Sequence, residues 1–205
     1  MLVCTIAAEA GTPADVVAAT IAARSGARLL DRPALITLAR ELDTEINDFE
    51  NIEERVCSRL AAFAMGLAFT GAPEVVRELE LKKTIARLAR AVLSEVVREP
   101  SVILAPAAFA ALQDHPSAIH LSLRAPLAWR IETYRRENLL DRQRAERALK
   151  HEDHLRRTWA KALYHVDADD PAHFSLVVDA SRLPAARVAD AVLASAGVDV
   201  AAAVI

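Results

Sequence analysis

The sequence predicts an α/β protein of three layers, in which helices cover both faces of a five-stranded parallel sheet. Two observations predict it. Five short runs rich in apolar residues, four to six residues each, alternate with longer stretches of helical periodicity. Strands that a parallel sheet buries on both faces read as such mostly apolar runs, and each parallel return needs a crossover long enough to hold a helix.

The first run, Leu2 to Ala7, leads into Glu9-Ala-Gly-Thr-Pro13 and an Ala/Val stretch from Ala14 to Ala23 that stops near Gly26. This reads as strand, turn and helix, with Pro13 in a first turn that needs no amide donor there and Thr12 as the cap. Ala27 to Leu30 is a second strand, after which Asp31-Arg32-Pro33 opens another helix. Residues 43 to 98 read as a helical insertion, broken at Thr70-Gly-Ala-Pro73, with Leu79, Ile85, Leu88, Val92 and Val96 along one face. Ser101 to Leu104, between Pro100 and Pro106, is the third strand, and Ala118 to Leu123 is the fourth. Helices are expected from Pro126 to about Asn138 and from Leu140 to Tyr164. Phe174 to Val178 is the last strand, and Pro184 to Ala196 the last helix.

Composition bounds the function. A 53% apolar chain of 205 residues can bury a core of its own as one unit spanning 1–205. Cys4 and Cys57 fit no metal or redox spacing, which suits a reduced, cytoplasmic setting. The apolar start at Met1 to Ala8 has no basic leader and runs into Glu9, so neither a signal peptide nor a membrane partner is expected. Glu41 to Arg55 holds seven acids and one arginine, whereas Arg124 to Arg157 holds ten basic residues against six acids. Because signs alternate at helical spacing in the basic stretch, it reads as a solvated face and not a nucleic-acid surface. A small anionic ligand such as a nucleotide would need only a few of these arginines.

Four segments carry a resemblance to a known family. Ser122-Leu-Arg-Ala-Pro-Leu-Ala-Trp-Arg-Ile131, Leu149-Lys-His-Glu-Asp-His-Leu-Arg156, Phe174-Ser-Leu-Val-Val-Asp-Ala-Ser-Arg-Leu183 and the pair Asp31-Arg32 follow one another in the order found in cytidylate-kinase-like proteins. The chain thus resembles that branch of the P-loop nucleoside-monophosphate kinases over nearly its whole length. The resemblance implies a P-loop kinase fold with a lid at about residues 134 to 170. It also implies phosphoryl transfer from ATP, with Mg²⁺, to a (deoxy)nucleoside monophosphate. By the same likeness, Arg130, Asp153 and Arg156 would be the catalytic, charge-screening set. Gly11, Thr12 and Arg182 would hold the cofactor phosphates, and Asp31 and Arg32 the monophosphate.

The departures from the pattern fall where the phosphates would sit. A phosphate loop uses glycines for close backbone approach and a cation for the transferred charge; here Gly11 is followed by Thr12, Pro13, Ala14 and Asp15. Ala105-Pro106 stands where relatives carry Gly-Arg, and Leu149-Lys150 where the lid usually has an arginine and an acid. Transfer is therefore expected to be lost or weak. A nucleotide sensor without catalysis is the alternative, or an interaction or structural subunit, for which the apolar-faced helices of the insertion could pair as a homodimer.

Each candidate also has a structural role open to it. Asp153 could pair locally with Arg156 or Arg157, Asp31 could cap a helix, and Glu9 could be an ordinary loop carboxylate instead of a magnesium-side acid. His151, Asp153 and His154 lack the i, i+4 histidine pair of a zinc helix, so no metal site is expected there. Arg124 and Arg142 read as surface ion-pair partners.

Overall fold

The computed structural model describes residues 1–31, 34–35, 93 and 98–198. Five strands, β1 (Val3–Ala8), β2 (Arg28–Leu30), β3 (Ser101–Leu104), β4 (Ala118–Arg124) and β5 (Leu176–Asp179), form one sheet. Its order is β2-β3-β1-β4-β5, and every pairing is parallel. The opening strand therefore lies in the middle, where its run of apolar residues is covered on both faces.

Among the described residues five helices connect or flank these strands: α1 (Ala14–Ser25), α2 (Ala108–Ala111), α3 (Leu127–Glu137), α4 (Arg142–Tyr164) and α5 (Ala185–Ser195). One layer is α1 with α5. Val17, Ile21, Val188 and Val192 pack there on Cys4, Ile6, Leu121 and Leu123. On the other face Phe109, Ala110 and Ala160 cover Ala7, while Leu30, Ile103 and Leu112 form a further cluster with Leu93. The alternation of strand side chains explains the division, since Thr5, His120 and Ser122 fall on the α2 side between residues that face α1.

Helix boundaries follow local chemistry. Gly26, at φ +68°, supplies the left-handed turn that ends α1. Asp141 sets the start of α4 at Arg142, two residues later than the periodicity of the sequence suggests, because its carboxylate accepts the Arg144 N–H at 2.8 Å. The entrance of α1 differs from expectation. Pro13 itself is the cap residue, no side chain caps the helix, and the Thr12 hydroxyl instead donates to the Glu9 carbonyl at 2.7 Å. The last strand begins at Leu176 and not at Phe174, whose ring turns onto Phe109. The insertion predicted for 43 to 98 falls outside the described residues, apart from Leu93 and Arg98. No helix among the described residues is long and apolar enough to cross a membrane.

Candidate functional site

The carboxyl ends of β1 and β4 meet at a loop, Glu9 to Pro13, which is where a doubly wound sheet offers a ligand site. Glu9 ties the two strands together: its N–H donates to the Leu123 carbonyl at 2.9 Å, and its carboxylate accepts the Ala125 N–H at 3.0 Å. The turn then needs Gly11, which adopts φ +80°.

Over this loop folds the hairpin of α3 and α4. Helix α4 buries a stripe of Ala145, Leu149, Asp153, Arg156, Trp159, Ala160 and Leu163 at helical spacing, so two charged residues lie on its inward face. Asp153 meets Arg130 of α3, with Nη1 to Oδ2 at 2.7 Å, and both side chains are more than nine-tenths buried. The other Asp153 oxygen accepts the Ala10 N–H at 3.1 Å. Arg130 Nη1 also donates to the Ala10 carbonyl at 3.0 Å, and its Nε donates to the Ala125 carbonyl at 3.0 Å. Glu9 stands 3.4 Å from the same Nε. A carboxylate buried this deeply is tolerable because guanidinium and amide donors saturate it. The local pairing of Asp153 with Arg156 or Arg157 considered from sequence does not occur, since Asp153 faces across to α3.

The same contacts crowd the loop at Gly11. A Cβ placed on Gly11 would lie 3.0 Å from the Arg130 carbonyl oxygen and 3.0 Å from Leu149 Cδ2. Both amide groups of Ala10 are engaged, Pro13 has no N–H, and the Thr12 hydroxyl points back into its own turn. Asp15, exposed in the first turn of α1, adds a negative charge. The residues present do not fit ATP phosphates in this arrangement. Nor do they fit Mg²⁺, because the Asp153 and Glu9 carboxylates are already committed to Arg130 and to backbone amides, and no group of three metal-ligating side chains occurs among the described residues.

Arg156 lies further along α4 and is directed elsewhere. Its Nη2 reaches Asp169 Oδ1 at 2.5 Å, and Nη1 donates to the Ala168 carbonyl at 3.2 Å. Its buried Nε has no hydrogen-bond partner. Asp169 also has Arg157 at 3.6 Å, and its carbonyl accepts from Arg124 Nη2 at 2.9 Å. Partial burial raises the Asp169 pKa, but the bond and charge of Arg156, with Arg157 and Arg124, outweigh it and hold the carboxyl below its ordinary range.

The remaining candidates are dispersed. Asp31 accepts the Ala34 N–H at 3.0 Å, as a helix cap does, and Arg32 lies outside the described residues. Arg182 is exposed, 3.4 Å from Asp179 across one turn, while Asp179 closes the turn by accepting from the Ser181 amide and hydroxyl. Arg142 is exposed. His151 and His154 are exposed on α4 while Asp153 faces inward, so the three do not share a face. Asp169 escaped notice in the sequence because it sits in an acidic turn, Asp167 to Asp170, whose residues all look like loop carboxylates. Only the buried position of Arg156 on the α4 stripe hints that one of them is a partner.

The parallel five-stranded sheet with a central opening strand, its loop and the helical hairpin over it define a P-loop kinase-like α/β fold. The model of the cytidylate kinase-like family matches residues 3–182, and the chain belongs to that family. No curated protein matches the sequence. Among solved structures, an uncharacterized protein from Eubacterium ventriosum ATCC 27560 is similar in fold, with a TM-score of 0.65 at 17% identity over 96% of this chain and 98% of that one.

Proposed function

We propose that this chain is a cytidylate-kinase-like protein in which phosphoryl transfer from ATP to a (deoxy)nucleoside monophosphate is lost or weak. The observation that carries the reading is the tight space in front of Gly11, bounded by the Arg130 carbonyl and Leu149. Phosphoryl transfer depends on positioning and charge stabilisation, and this loop has spent its Ala10 amide on the Asp153 carboxylate and its Thr12 and Ala14 amides on backbone carbonyls, which leaves fewer donors for the phosphates. Arg130 supports the same reading. Its guanidinium, which would screen transferred charge, is held by Asp153, Ala10 and Ala125. Opening the loop would strip several hydrogen bonds from a buried charge pair, which is costly unless a ligand replaces them.

A coupled ADP-release assay across the common nucleoside monophosphates, with Mg²⁺ and millimolar ATP, tests this. Turnover below about 1 s⁻¹, the low end of kinase rates, is expected with every monophosphate. A faster rate with any of them contradicts the proposal. The double substitution Ala14→Lys with Asp15→Ser asks whether charge alone is missing: the filled loop predicts that it does not create ATP binding.

A further inference from the structure

Both charged residues on the inward stripe of α4 are answered from within the chain, Asp153 by Arg130 and Arg156 by Asp169. The second partnership is uneven. Arg124, Arg156 and Arg157 converge on Ala168 and Asp169, and among the described residues Asp169 is the one carboxylate that any of the three reaches. The neighbouring acids are turned to their own loop: Asp167 accepts the Asp169 N–H at 2.9 Å, and Asp170 the Ala172 N–H at 2.9 Å.

Three guanidinium groups against one carboxylate leave donors over. Arg156 is more than nine-tenths buried, yet its Nε has no hydrogen-bond partner, which is unfavourable for a buried donor. Arg157 stands 3.6 Å from the second Asp169 oxygen, beyond hydrogen-bond reach. Arg124 is already oriented, its Nε held by the Ser122 hydroxyl at 2.9 Å and its Nη2 by the Asp169 carbonyl at 2.9 Å. A carboxylate brings two acceptor oxygens to this cluster, whereas a phosphoryl group brings more and pairs with guanidinium forks side by side. The Asp169 side chain is 41% exposed, so the position it holds opens to solvent.

We infer that Arg124, Arg156 and Arg157 build an oxyanion site for a phosphoryl-sized dianion, and that Asp169 occupies it as an internal carboxylate that keeps it closed. A carboxylate carried on the same chain acts at a high effective concentration, so free phosphate competes poorly with it. Removing the charge of Asp169 opens the site. An ion pair that only pinned the turn after α4 would lose stability on that change and gain no ligand.

Inorganic phosphate titrated into the full chain, against chloride at equal ionic strength, reads this through the arginine Nε–H signals in NMR. Asp169→Ala is expected to bind phosphate in the millimolar range, at least about tenfold tighter than the wild type, with the Arg156 signal among those that move. Asp169→Asn keeps the size of the side chain and guards against a loss of folding; it should gain at least about threefold. Adding Arg157→Ala, a surface change, to Asp169→Ala should weaken phosphate about fivefold. Asp167→Ala, which removes a neighbouring charge but leaves Asp169 in place, should behave as the wild type. A wild type that binds as tightly as the Asp169 variants, variants that gain nothing over chloride, or an Asp167→Ala protein that gains as much would each overturn the inference. The titration involves neither ATP nor turnover, so its failure would leave the reading of the Gly11 loop standing, and fast turnover would leave the Asp169 result standing.

Discussion

Asp153 and Arg130, twenty-three residues apart and on different helices, form a buried ion pair at 2.7 Å that also clamps both amide groups of Ala10. Through this pair the α3–α4 hairpin is fastened to the loop that follows the central strand, so the stability of the fold and the closure of the loop share one set of contacts. Removing one member strands the other charge in the interior. Arg130→Ala or Asp153→Ala is therefore expected to lower unfolding stability by about 3 to 5 kcal/mol, read from urea denaturation. Replacing both with apolar residues of similar volume should cost far less, and a double mutant as unstable as the sum of the singles would show that the two do not act as a pair.

Gly11 offers a sharper local test. Its φ of +80° is one that a side chain resists, and an added Cβ would press on a backbone carbonyl that cannot swing away. Gly11→Ala should destabilise the protein by about 2 kcal/mol, combining the left-handed penalty with the crowding. Gly197→Ala shares a positive φ but meets open space, so it should cost less in the same denaturation series.

Acid sensitivity should begin at His120. Burial, with the charge of His115 second, holds its pKa below the ordinary 6.5, although the Leu112 carbonyl pulls the other way. His115, Asp114 and His173 are the titratable groups around it. An unfolded chain then takes up a proton before the folded one does, so stability is full above about pH 6.5 and falls as the pH drops through the folded value. Asp169 contributes in a lower window: its carboxyl is held below 3.8, so its share is lost only under stronger acid. Urea midpoints measured from pH 8 to pH 5 should fall for the wild type and stay flatter for His120→Gln. Equal slopes would remove His120 as the cause.

Burial also pushes the Cys4 thiol up to about 12, which leaves almost no thiolate at neutral pH. In a Cys57→Ser background, Cys4 should react with a thiol reagent only as fast as the sheet opens, and urea should speed the reaction. Prompt labelling in native buffer would contradict a fully covered central strand.

How much of this was legible beforehand follows from the range of each interaction. The strands were readable because runs such as Ser101 to Leu104 between prolines need only local chemistry and burial. The end of α1 was readable from Gly26 alone. Arg130, Asp153 and Arg156 could be singled out from the motif order, and Asp153 and Arg156 also fall on the α4 stripe, yet their partners could not be named. Pairing of Arg130 with Asp153 depends on the crossing of α3 and α4, and that of Arg156 with Asp169 on the path of the turn after α4. Thr12 illustrates the reverse case. A Thr before a Pro looks like a cap, but Pro13 occupies the cap position itself and leaves the Thr12 hydroxyl to bond back to Glu9.

The filled loop is tested most directly by hydrogen exchange at the Ala10 amide, whose N–H donates to Asp153. Slow exchange that is unchanged by millimolar ATP and Mg²⁺ is the predicted result. Fast exchange in the free protein, or exchange that shifts when ATP is added, would mean that Asp153 leaves the loop and that phosphates can reach it.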